Sequence, residues 1–422
     1  MKNSRNLLIF SLFGIGIALT ANGATVIAVP TTDIPRLEIP SRFTTIRTGR
    51  DAKFPIETAR EERSTTILQE SRLKMLDPDN GWSWGYKEGN FQLQKTRDGG
   101  RTWQVVPLPV EPPRFNADSD GGTVAVNFPN RRDGWIGWID PRKSSLIALA
   151  TEDGGQRWKT ATAPVPDTAS IVNGIEFVNP NRGWVVLSSS YGVSGTRKFL
   201  LSTENGGKEW KDLTRDNFLP YAGTIVNLKF VNETDGWLTI GDPSSSAVRL
   251  WKTTDGGKTW GDRSGSLPIP PEYRAMSAFF VEAPVFSPPA DRQGILPVTF
   301  YAGNQRHPVL YLTENRGETW IPIPMKRLEN ALVNGKGSPA FFLNASDGWT
   351  LKNGTLYRTG NSGKTWSVIP SRTLSSALKN YPRIEQMQFV NPQVGWLMVS
   401  SSDTDRSRLL KTTDGGVTWA IL

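Results

Sequence analysis

The stretch Thr253-Thr254-Asp255-Gly256-Gly257-Lys258-Thr259-Trp260 decides how this chain folds, because it is written again as Thr412-Thr413-Asp414-Gly415-Gly416-Val417-Thr418-Trp419. Five looser copies share the form T-x-[DN]-x-G-x-x-W: Thr96 to Trp103, Thr151 to Trp158, Thr203 to Trp210, Thr313 to Trp320 and Thr359 to Trp366. Successive box tryptophans lie 55, 52, 50, 60, 46 and 53 residues apart, a period that suits one four-stranded propeller blade. A Gly-Trp pair precedes six of the boxes, at Trp82, Trp135, Trp184, Trp237, Trp349 and Trp396. The fifth repeat reads Gly294-Ile295 instead, after an enlarged Pro-rich segment, so irregular inner strands are expected there.

One repeat gives the strand order. Ile175 to Val178 reads as an inner strand, Asn179 to Arg182 as a turn, Gly183 to Ser188 as a second strand and Phe199 to Ser202 as a third, with the box turning into a fourth. The first repeat, 67–108, and the last, 384–422, each hold all four strands. The expected fold is therefore all-β: a seven-bladed β-propeller with four-stranded antiparallel blades over 67–422. Composition agrees, since 40 Gly, 30 Pro and 16 Trp suit short strands and tight turns.

Ahead of the propeller, Lys2 and Arg5 precede an apolar run from Leu7 to Leu19 and the small residues Ala21 to Ala24. This reads as a signal peptide, 1–24, followed by an extended Pro- and Arg-containing linker, 25–66. The expected location is outside the cytoplasm, in a periplasm, thylakoid lumen or extracellular space, free or tethered by an uncleaved signal. Removing Lys2 and Arg5 takes the formal charge from +9 to +7.

With no Cys and one His, His307, thiol catalysis, disulfides, Cys/His zinc sites and two-histidine mechanisms are excluded. No cofactor or metal is expected. Asp77-Pro78-Asp79-Asn80-Gly81 and Asp118 to Gly121 look faintly like calcium loops, but neither has the spaced Glu that would complete one. His307, beside Arg306 and Pro308, reads as a surface loop residue.

The repeated signature is that of the Asp-box, or BNR repeat, and the boxes read as folding devices. Their side chains at Asp98, Asp153, Asn205, Asp255, Asn315, Asn361 and Asp414 can accept turn N–H groups. A ring of catalytic or metal-binding carboxylates is excluded by the three Asn, since an amide oxygen is neither a general base nor an anionic ligand. The non-repeating face, made of second-to-third-strand loops and blade-to-blade connections, is where function is expected. Between residues 304 and 384 there are eleven Lys/Arg against four Asp/Glu. Arg306, Lys326, Arg327, Lys336, Lys352, Arg372, Lys379 and Arg383 fall in predicted loops, with Glu329 the acid among them. This basic sector is expected to dock an acidic segment of a membrane protein or precursor, or an anionic membrane surface. Nucleic acid is not expected, and a monomer is.

Asp-box propellers occur in sialidases, sortilin-type receptors, some glycoside hydrolases and the photosystem II assembly/stability factor family. The chain resembles the last of these in its ring of seven, its signal peptide, its T-T-D-G-G-x-T-W boxes and its Gly-Trp pairs. That resemblance implies an exported, non-catalytic factor that binds a membrane-protein precursor or assembly intermediate. The alternative is a glycan-binding or glycoside-hydrolysing, sialidase-like surface propeller. Sialidases carry a Phe/Tyr-Arg-Ile-Pro motif that this chain lacks near its first blade, and Glu272-Tyr273-Arg274 reads as a polar loop. The protein is accordingly expected not to be an enzyme.

Overall fold

The computed structural model describes residues 69–114, 124–140, 142–189, 196–214, 223, 225–241, 248–287, 292–332, 338–401 and 407–422. The expected signal peptide and linker, Lys336 and the Asp118 to Gly121 loop lie outside the described residues. Seven antiparallel sheets follow one another, each built from consecutive strands. Blade one spans Gln69–Val106, blade two Ala125–Pro164, blade three Ala169–Asp212 and blade four Ile225–Asp262. Blade five spans Ser277–Pro324, blade six Phe341–Ile369 and blade seven Arg383–Ile421. The seven-bladed all-β propeller thus stands. Blade five is irregular as expected: its inner edge is split into Ser277–Val281 and Val285–Phe286, both paired with the nine-residue strand Gly294–Ala302.

An aromatic sandwich between neighbouring blades holds the ring. The Gly-Trp indole of one blade stacks on an inner-strand Phe of the next: Trp82 on Phe128, Trp135 on Phe177, Trp184 on Phe230 and Trp349 on Phe389, with centroids 3.5–4.0 Å apart. Trp237 meets Phe286 at a tilt, and Trp396 packs with Met75. Each Phe also lies across the glycine of its own blade. A Cβ on Gly183 would fall 2.5 Å from the Phe177 ring, and one on Gly236 2.6 Å from Phe230. Glycine precedes the tryptophan because the phenyl ring fills the space a side chain would need. The box Trp of the same blade meets that Phe edge-on, as Trp210 does with Phe177 and Trp260 with Phe230.

Hydrogen bonds reinforce several seams. Trp135, Trp184 and Trp396 donate Nε1–H to the carbonyls of Gly206, Gly256 and Gly99, each in the next blade's box. Between blades seven and one, the Gln386 and Gln388 side chains each accept a backbone N–H and donate to a carbonyl, at Leu73 and Met75 respectively.

The boxes form one hydrogen-bonded unit seven times. The Thr hydroxyl donates to the Asp or Asn Oδ1, as Thr253 does to Asp255 at 2.8 Å. It accepts the N–H of the residue four positions on, Gly257 for Thr253, at 2.9 Å. The Oδ1 accepts a further N–H from the seventh box residue, 2.9 Å from Thr259 to Asp255 and 2.9 Å from Glu209 to Asn205. Asp and Asn are interchangeable there because the bond uses the oxygen both possess.

Candidate functional site

Two features depart from the repeat. One is the basic rim of blades five to seven. After the last strand of blade five, a 3-10 turn, Lys326–Leu328, leads towards blade six. It buries Met325 and Leu328 against Ile295, Leu310 and Phe342, filling the seam where the fifth blade lacks its tryptophan. Lys326 and Arg327 are left exposed. Lys352 reaches the same turn, donating Nζ to the Arg327 carbonyl at 2.8 Å. Arg306 exchanges bonds with Asn330, its N–H donating to Asn330 Oδ1 and its carbonyl accepting the Asn330 N–H, both at 2.9 Å.

After blade six comes a helix, α1 (Arg372–Asn380), capped by Ser371, whose hydroxyl accepts the Leu374 N–H. Leu374 and Ala377 are buried, while Arg372 and Lys379 are exposed. Arg372 stands at the helix N-terminus, where the helix dipole disfavours a cation. Its presence there is not explained by helix stability. Between α1 and the outer strand Ser367–Ile369 runs an open groove of about 550 Å³, lined by Val368, Ile369, Pro370, Leu374 and the two cations. Arg383, also exposed, opens the inner strand of blade seven.

The structure therefore gathers Lys326 and Arg327 on one connection, with Arg306 and Lys352 beside it at strand ends rather than in the expected loops, and sets Arg372 and Lys379 of a helix on one groove. Leu378 of α1 faces Gly354, two residues past Lys352, so the two groups adjoin. Two contacts were not legible. Glu272 crosses from the preceding connection to pair with Lys326 at 2.9 Å, which trims the positive charge. His307 is no surface loop residue: it lies buried in the strand Gln305–Thr313, its ring near Tyr273 and its Nδ1 3.5 Å from Glu329 Oε1. Its place at the head of the unbroken apolar run Pro308 to Leu312 carried that signal.

The second feature is an axial cavity of about 540 Å³, walled by inner strands of blades one, four, five, six and seven. Blade one stands opposite blades four and five in a ring of seven, so a cavity touching all three lies on the axis. The residue preceding each blade's stacking Phe or Met occupies one level around it. In blades one to four these are Lys74, Asn127, Glu176 and Lys229; in blades five to seven, Val285, Phe341 and Gln388. Glu176 accepts from Lys229 at 2.5 Å and from Asn127 at 3.3 Å. Lys74 has no hydrogen-bond or ion-pair partner among the described residues, and its side chain meets the cavity's solvent. Desolvation by the surrounding wall, aided by Lys229, pushes its pKa down, and Glu176 offsets part of this. This level was not among the expectations, although its register, one residue before the Phe or Met that precedes the second-strand glycine, is written in the chain.

The box carboxylates are held in their charged form. At Asp153 the backbone N–H of Arg157, then its guanidinium, bring the pKa to about 2. At Asp98, Asp255 and Asp414 burial works the other way and is outweighed by hydrogen bonds, chiefly from Thr102, Thr259 and Thr418. Asp77 is likewise opposed by burial, yet hydrogen bonds from Asn80, Asp79 and Arg131 take it to about 2. The Asp77 loop is a side-chain-capped turn, with Asp79 and Asn80 N–H groups on Asp77 Oδ1. Among the described residues no group of three or more potential metal ligands gathers.

No family model matches the chain, and no curated protein matches its sequence. Solved structures do share its fold. A puromycin-hydrolysing peptidase of Mycobacterium tuberculosis aligns at TM-score 0.53 and 12% identity, over 83% of this chain and 53% of that one. A GH74 xyloglucanase from Xanthomonas campestris aligns at TM-score 0.43 and 14% identity, over 82% and 59%. A Hadza microbial sialidase aligns at TM-score 0.46 and 12% identity, over 82% and 65%. The chain thus spans about three-fifths of the xyloglucanase, and these likenesses establish the propeller fold alone. They correct one expectation. The puromycin-hydrolysing peptidase that shares this fold is an enzyme, so the fold gives no ground for reading the chain as not an enzyme, and that expectation does not stand. The photosystem II factor resemblance has no family model or curated relative behind it.

Proposed function

We propose that the protein is an exported docking propeller whose rim on blades five to seven holds an acidic polypeptide segment of a membrane-protein precursor or assembly intermediate. One observation carries this reading: the groove beside α1 sets Arg372 and Lys379 around the apolar Val368, Ile369 and Leu374. Cations alone serve any polyanion. Cations framing an aliphatic floor suit a chain that carries both carboxylates and apolar side chains. Val368 is 52% exposed, an apolar area available to such a segment. A propeller that binds or cleaves glycans is the second reading, favoured by the open axial cavity with Phe341 on its wall.

The test is a charge reversal at Lys326, Arg327, Lys379 and Arg383, with binding of an acidic, leucine-containing peptide measured by fluorescence anisotropy at low salt. The variant is expected to bind at least about tenfold more weakly, with a shallower salt dependence. Unchanged affinity would sink the docking reading.

A further inference from the structure

The axial level asks why Lys74 is retained. Its six counterparts are accounted for: Asn127, Glu176 and Lys229 bond to one another, Gln388 clasps Met75, and Val285 and Phe341 are apolar. Lys74 neither closes a seam nor completes that network. Its side chain is exposed to the cavity that it lines, between the like charge of Lys229 and the opposite charge of Glu176. An ammonium that lines a cavity with no hydrogen-bond partner among the described residues is placed to take its partner from a ligand.

The cavity suits that role. Its volume of about 540 Å³ falls within the ordinary range of small-molecule sites, roughly 300–1,000 Å³. Arg72 lines it from the same strand as Lys74, and Glu282 lines it from blade five. The wall thus carries the cations Arg72 and Lys74 on blade one, the Glu282 carboxylate on blade five and the half-buried Phe341 on blade six. A cationic side chain accepts oxyanions through charge-assisted hydrogen bonds of about 2.7–2.9 Å.

We propose that the axial cavity is an oxyanion-binding site in which the Lys74 ammonium holds a sulfate or carboxylate group, either as a free ion or as part of a small organic ligand. The site is separate from the rim and does not depend on the docking reading.

The test uses the full-length protein, with lysines reductively methylated with a 13C label and followed by NMR at low ionic strength. Inorganic sulfate is titrated in one arm, glucuronate in a second and neutral glucose in a third. The Lys74 resonance, assigned by its loss in Lys74→Gln, is expected to shift saturably with sulfate, glucuronate or both, and not with glucose. Saturation by sulfate identifies a free-ion site, and tighter saturation by glucuronate an organic ligand. Unlabelled Lys74→Gln is expected to lose at least about tenfold in affinity by calorimetry while keeping the parent's circular dichroism. The rim charge-reversal variant should bind as the parent does, which separates the two proposals. Absence of any saturable shift with both anions, an equal response to glucose, or unchanged affinity in Lys74→Gln would overturn the assignment.

Discussion

The seam between blades three and four and the seam between blades five and six solve the same packing problem differently. In the first, Trp184 lies flat on Phe230 at 3.5 Å, donates to Gly256 and is covered by the Arg182 guanidinium. Everything needed is supplied by the repeat. In the second, Ile295 replaces the indole, and the shortfall in volume is filled by Met325 and Leu328 from the following connection. That connection is thereby anchored in the core, and the neighbours of its anchors, Lys326 and Arg327, are held at the surface. The break in the repeat and the rise of a charged rim are one event, because a connection pulled inward by its apolar residues presents its polar ones in fixed places.

This difference can be broken at either side. Trp184→Ala should have the largest effect, about 3–5 kcal/mol of stability, read by urea denaturation. Acidic-peptide affinity should be unchanged in the fraction that remains folded. Leu328→Ala should cost somewhat less, about 2–4 kcal/mol, yet weaken acidic-peptide binding, since the turn bearing Lys326 and Arg327 loses its root. Equal affinity in both variants would show that the rim does not depend on how the seam is filled. The rim charge reversal should move stability by no more than about 0.5 kcal/mol.

The smallest effect concerns pH, and it separates the boxes from one another. The carboxyls of Asp77, Asp98, Asp153, Asp255 and Asp414 lie below their ordinary values in the folded chain. The unfolded chain therefore binds more protons between its own carboxylate pKa, about 4, and the folded values. Stability should be full above about pH 4 and fall as pH drops towards 2. Asp153→Asn should flatten that acid slope while leaving neutral stability nearly unchanged, because Asn205, Asn315 and Asn361 already fill the same place. Urea midpoints measured across this range would check it, and an unaltered slope would count against a charged Asp153 in the fold.

The ring was legible because its elements are local. Thr, Asp and Gly of each box contact one another within a few residues, so spacing alone carries them. The Gly-Trp pairs were legible as marks, but their meaning was not: the Phe six residues earlier, such as Phe177 before Gly183, stacks on the tryptophan of another blade, Trp135 in this case, 42 residues away in sequence. Helix α1 escaped because Arg372-Thr373-Leu374-Ser375-Ser376 is a poor helix former, and packing of Leu374 and Ala377 overrides that preference. Lys74 escaped for the opposite reason. A lone lysine in a strand reads as solvent-facing, and only closure of the ring turns that solvent into a cavity.

Closure between blades seven and one draws on Gln386 and Gln388 beside the Trp396 bond to Gly99. Their amides occupy the bonding positions that a neighbouring strand would otherwise take on Leu73 and Met75, and among the described residues no strand is exchanged between blades seven and one. Among the described residues the join is therefore made by side chains. The cavity's wall at that point is a clasp of amides rather than a continued sheet, so its strength depends on how well two side chains keep their places.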